Sequence, residues 1–138
     1  MAETQNLNRM LLDAFRAVDA QVEAALEARG AQDLSPRHAT AILLVDKKGV
    51  RLTDLAGRAG ITKQAMMQVV NDLDRMGLVK RSQDGQDARA KIVTLTAKGE
   101  KQRAEASKAV SAAEAKVKRR LGPAKYDALR ETLAGLIG

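Results

Sequence analysis

The chain contains no cysteine and no tryptophan, and a single histidine, His38. Without thiols there is no disulfide, no thiol-based oxidation sensor and no thiolate metal site. One histidine makes a zinc centre improbable, and no metal site is expected. Phe15 and Tyr126 are the only aromatic residues. The core must therefore be built from Leu, Val, Ile, Met and Ala, which suits helices packed closely through alanine. Long apolar runs are also missing. The longest, Ala41–Val45, is far too short to span a bilayer. The opening Met-Ala-Glu-Thr-Gln has neither the basic start nor the apolar stretch of a secretory signal, so no membrane partner and a cytoplasmic location are expected. There is no Gly-rich phosphate loop, and no Ser or Asp is readable as a partner for the lone histidine. No catalysis and no cofactor are expected.

What is present is a basic chain of 138 residues with formal net charge +7 and 45% apolar residues. That is enough apolar content for a packed core. The charge is uneven: residues 1–30 carry three Lys/Arg against five Asp/Glu, and residues 92–121 carry eight against three. A basic excess favours a polyanionic partner but does not identify one.

Apolar residues at three- and four-residue steps, from Leu7 and Leu11 through Phe15, Val18 and Val22 to Leu26, predict one helix over 4–29. Thr4 is its expected N-cap and Gly30 its stop. At about 1.5 Å per residue it would be roughly 40 Å long, more than a lobe this small can cover. Ser35-Pro36 predicts a helix start, with the helix running to about Lys47. Thr53 is expected to cap a short helix, Asp54 to about Ala59, and Thr62 a longer one, Lys63–Met76. Gly77 is the expected left-handed terminator. Two β-prone runs follow, Leu78–Ser82 and Lys91–Leu95, around the turn signal Asp84-Gly85. Thr96 caps a helix to about Leu121, Gly122-Pro123 breaks it, and a last helix occupies about 124–137. The expected architecture is mainly α with a small β-hairpin wing. A winged helix-turn-helix would occupy 35–96, and the helices of 1–34 and 97–138 would form a dimerisation lobe.

In the central helix pair, Ala56 supplies the small residue at the crossing and Gly60 the turn. At 100° per residue, Ala65, Met66, Val69, Val70, Leu73 and Met76 share one face of the second helix. Gln64, Met67, Gln68, Asn71 and Arg75 share the other. Gln and Asn amides can pair with adenine edges in a major groove. Lys63 and Thr62, at the helix start, and Thr53 can reach phosphate or base. Lys80, Arg81, Arg89 and Lys91 bracket the wing loop, where an Arg suits a minor groove. Asp87 is placed to pair with Arg89. A solvated surface helix and hairpin would show the same residues.

The run Leu52-Thr53-Asp54-Leu55-Ala56, then Gly60-Ile61-Thr62-Lys63, then Leu73 through Arg81 resembles the MarR family of winged-helix regulators. The wing Asp87-Ala88-Arg89 and the following Leu95-Thr96-Ala97-Lys98-Gly99 carry the most specific part of the likeness. The resemblance implies a homodimer in which the terminal helices of two chains interlock. Here that means Leu7, Leu11, Phe15, Val18, Leu121, Leu129, Leu133, Leu136 and Ile137. It further implies a repressor on a near-palindromic duplex DNA site, with helix 62–76 and the wing residues Asp87 and Arg89 as reading elements. A small-molecule effector of unknown identity is a family theme. Gln68 and Ala88 stand where relatives often carry cations, and Asp72 adds negative charge, so weaker or less salt-dependent binding is expected. A winged-helix protein-interaction module and a non-specific architectural DNA binder remain as alternatives.

Overall fold

The computed structural model describes residues 5–31, 33–83, 85–86 and 91–138. Its elements are α1 (Leu7–Ala28), α2 (Pro36–Leu44), β1 (Val50–Arg51), α3 (Leu52–Ala59), α4 (Lys63–Arg75), β2 (Val79–Gln83), β3 (Lys91–Leu95), α5 (Ala97–Leu121) and α6 (Pro123–Ile137). The three strands form one antiparallel sheet in the order β1-β3-β2.

Most helix starts follow their caps. Ser35, Thr62 and Thr96 accept the backbone N–H groups of His38, Ala65 and Gly99. Helix α1 begins later than its periodicity suggests: Asn6, not Thr4, is the N-cap, its side chain accepting from the Arg9 N–H at 2.8 Å. Thr4 lies outside the described residues. Helix α3 starts at Leu52, the two-residue strand β1 feeding directly into it, so Thr53 sits inside the helix and caps nothing.

Helix α2 ends at Leu44, three residues before the expected Lys47, because its last carbonyls are claimed from elsewhere. The Arg103 guanidinium of α5 donates to Val45 O at 2.6 Å and Leu43 O at 3.3 Å. Arg58 of α3 donates to Leu44 O at 3.3 Å. Val45 then turns to extended backbone and is fully buried.

One apolar core joins Leu26 of α1, Ile42 of α2, Leu55 of α3, Met66 and Leu73 of α4 and Val93 of β3. Ala106, Ala109 and Ala113 line the buried side of α5 at helical spacing, which lets α1 and α2 pack close to its backbone. Only the last third of α1 enters this core, through Val22, Ala25 and Leu26. Helix α6 buries no residue at all.

Candidate nucleic-acid interface

Helices α3 and α4 are joined by a tight left-handed turn. Gly60 has φ +70°, and the N–H of Ile61 donates back to Ala56 O at 3.1 Å. A side chain at Gly60 would be strained at that φ. The far end of α4 closes the same way: Gly77, at φ +77°, donates to Asp74 O, and Leu78 N donates to Leu73 O at 2.9 Å. Those two bonds and the buried pair Leu73 and Leu78 make a Schellman terminus. Helix α4 is thereby fixed at both ends.

Met66, Val69, Val70 and Leu73 bury one face of α4. Lys63, Gln64 and Gln68 are exposed on the other, with Met67 and Asn71 half-buried beside them. Thr62 spends its hydroxyl oxygen on the Ala65 N–H at 3.0 Å. Thr53 is exposed on α3, as are Lys80 on β2 and Lys91 at the start of β3. Asp84, Asp87, Ala88 and Arg89, expected in the wing loop, lie outside the described residues.

Arg81 is exposed, but its guanidinium is folded onto α4. Strand alternation places it on the same face as buried Val79, the face that meets α4. One guanidinium nitrogen donates to Asn71 Oδ1 at 2.7 Å and the other to Asp74 Oδ2 at 2.8 Å. Met67 Sδ lies 3.9 Å from the first of these. The expected groove-reaching cation is instead a brace between the wing and α4. Two-residue periodicity from Val79 is the signal that could have shown this. Lys80, on the opposite face of the strand, pairs with Thr94 in register.

Asp72 is also engaged inside the protein. Its carboxylate meets His38 Nε2 at 3.0 Å and the Arg75 guanidinium on its own helix. The negative charge expected on the reading face is therefore shared with two basic side chains. His38 is a capping residue of α2, and its contact with α4 has no signature in the sequence.

The surface assigned to a second chain is strongly apolar. Phe15 is 62% exposed and Ile137 84%; Leu7, Val18, Leu121, Leu129 and Leu136 are exposed too, while Leu11 and Leu133 are half-buried. Met10 and Leu12 extend the same exposed apolar surface, beyond the residues expected. Where α1, α2 and the α3–α4 turn meet, a cavity of about 240 Å³ is lined by Phe15, Asp19, Pro36, Arg37, Ile61 and Met66 among others. Burial pushes the Asp19 carboxyl above its ordinary range, Arg37 opposes this, and Glu23 adds to it. Among the described residues no cluster of His, Asp or Glu could hold a metal ion. No helix of the described residues is long and apolar enough to cross a membrane.

Two helices joined by a left-handed glycine turn, followed by an antiparallel wing, define a winged helix-turn-helix protein. Known proteins place it further. The MarR family model matches residues 32–90. The transcriptional regulator HosA of Escherichia coli O127:H6 is 35% identical over 66 residues, 48% of this chain and 49% of HosA. The chain thus matches about half the length of that relative. The whole fold is shared with the transcriptional repressor CouR bound to a 23-mer DNA duplex, at 27% identity and TM-score 0.83. That match covers 99% of this chain and all of CouR's. It is also shared with a Mycobacterium tuberculosis MarR family protein in complex with salicylic acid, at 28% identity and TM-score 0.74, covering 99% of both chains.

Proposed function

We propose that this chain is a dimeric, sequence-specific DNA-binding transcriptional regulator of the repressor type, acting in the cytoplasm as a binding protein and not as an enzyme. The observation that carries the reading is α4: its apolar face is locked into the core while Lys63, Gln64 and Gln68 stand exposed at its N-terminal half. A helix presented in this way fits a major groove, its N-terminal residues against base edges. Residues 35–96 then form the DNA-binding region, and 1–34 with 97–138 the dimerisation lobe. The wing, with Lys80, Lys91, Asp87 and Arg89, lies toward the neighbouring minor groove. Thr53, Thr62, Met67 and Asn71 complete the contact set. The likeness to a DNA-bound repressor over the whole fold supports this reading.

Release by a small molecule belongs to the same proposal. The cavity between α1, α2 and the α3–α4 turn could take a small acid against Arg37, and a related protein of this fold holds salicylic acid.

The test is selection of bound fragments from random DNA, followed by gel shifts at low salt. Enrichment of a near-palindrome with half-sites roughly 10 base pairs apart, centre to centre, is expected. Equal affinity for random and selected DNA would favour an architectural role. Absence of DNA binding would overturn the proposal.

A further inference from the structure

The brace between Arg81 and Asn71 determines which atoms Asn71 can offer. A guanidinium has only donors, so the Asn71 atom facing it at 2.7 Å is the amide oxygen. The second guanidinium nitrogen is held by Asp74 at 2.8 Å, so the group is tied at two points and holds the first nitrogen against that oxygen. The outward half of the Asn71 amide is then its NH2 group. Asn71 lies on the same stripe as Gln64 and Gln68, one turn beyond Gln68.

From this arrangement we infer that Arg81 is a positioning residue that makes Asn71 a reader of acceptor-edged bases, guanine or thymine, and not of adenine. The bidentate pairing with adenine needs one donor, to N7, and one acceptor, for N6, and the outward NH2 group alone supplies only the first. Here the acceptor is engaged by a cation whose charge opposes the adenine amino group. The guanine edge shows two acceptors, N7 and O6, and thymine shows O4. The adenine pairing expected of this stripe from sequence is therefore reversed at one position. The inference rests on the DNA-binding reading above.

Fragment selection with the wild type, Asn71→Ala, Asn71→Asp and Arg81→Met tests it. The wild type should enrich guanine or thymine at one position of each half-site. Asn71→Ala should lose that preference alone, with a drop of about tenfold in affinity for the preferred site. Asn71→Asp keeps a partner for Arg81 but offers only acceptors outward, so the preference should move to a base with an exposed amino group. Arg81→Met should relax the same position while leaving the others unchanged. A structural role alone would weaken all sequences equally. Adenine at the Asn71-dependent position, or an unchanged preference in Arg81→Met, would overturn the inference. Wild type that enriches nothing would overturn the DNA-binding reading itself, and this inference with it.

Discussion

Nε2 of His38, on the first turn of α2, lies 3.0 Å from Oδ2 of Asp72 in the last turn of α4. The other ring nitrogen, Nδ1, accepts the Ser35 N–H at 3.0 Å, while Ser35 Oγ accepts the His38 N–H at 3.2 Å. Because Nδ1 is an acceptor, the proton of the neutral ring sits on Nε2 and is donated to Asp72. One imidazole therefore completes the capping box of α2 and ties that helix to α4.

Replacing His38 with Ala should cost about 2 kcal/mol, from a weakened cap and a half-buried carboxylate left with one partner fewer. Asp72→Asn retains an acceptor for Nε2 and should cost less. Urea denaturation of the three proteins gives the order. Equal stability of wild type and His38→Ala would refute the tie. Nitrogen NMR of the ring should show the Nε2–H tautomer.

The parts of this fold that could be read from sequence are those fixed by local chemistry. Ser35-Pro36, Thr62 and Thr96 each begin a helix because a side-chain oxygen meets a backbone donor three residues on. Gly77 ends one because only its backbone adopts that turn cheaply. Strand β1 had no such signal: Val50 and Arg51 are a strand only because Val93 and Ile92 lie beside them. The end of α2 was equally hidden, since Arg103, far along the chain, removes the carbonyls that would continue it. The stripe on α4 was legible from angle alone. The fold of the Arg81 guanidinium onto α4 depends on where β2 packs, and so does the donor polarity of Asn71.

The Leu95-Thr96-x-x-Gly99 run has a steric basis. Thr96 donates its hydroxyl to Gly77 O at 2.6 Å and its backbone N–H to Leu78 O at 3.0 Å, drawing the first turn of α5 onto the end of α4. A Cβ at Gly99 would stand 2.0 Å from Leu78 O, an impossible distance to a backbone atom. Gly99→Ala gains helix propensity of about 1 kcal/mol but must push the two elements apart. A net loss of roughly 1–3 kcal/mol is expected, with α4 and the wing affected together. Thermal melting checks the sign: a stabilised variant would show that the close approach is not required.

Arg29 at the end of α1 meets Glu105 of α5 at 2.7 Å. The hydrogen bond from Arg29 holds the Glu105 carboxyl below its ordinary range, against a smaller opposing effect of burial. The folded chain therefore binds this proton less readily than the unfolded chain. The contribution to stability is present above the unfolded-state pKa and fades as pH falls through the lower, folded-state value. Glu105→Gln should accordingly destabilise at neutral pH and converge with the wild type in acid. Denaturation midpoints measured across that range test it. A difference that persists in acid would mean the ion pair is not its source.

Phe15 lies in the middle of α1, away from any fraying end, yet 62% of it is exposed, beside exposed Leu12 and Val18. Burying an aromatic side chain of this kind contributes about 1.5–3 kcal/mol. In a two-fold interface each residue counts twice, so one substitution removes two such contributions. Leu136 and Ile137 at the end of α6 are also exposed and occur twice in the dimer, but they sit where a helix frays. Phe15→Glu should thus dissociate the dimer more completely than Ile137→Glu, by placing two carboxylates in an apolar contact. Sedimentation at micromolar concentration should give twice the 14.8 kDa chain mass for the wild type and the single mass for Phe15→Glu. Both variants should keep the helical signal of the wild type, because neither side chain belongs to the core of one chain. A wild type that sediments as a monomer would leave the apolar surface of α1 and α6 without its assigned partner, and would remove the two-fold symmetry on which a palindromic site depends.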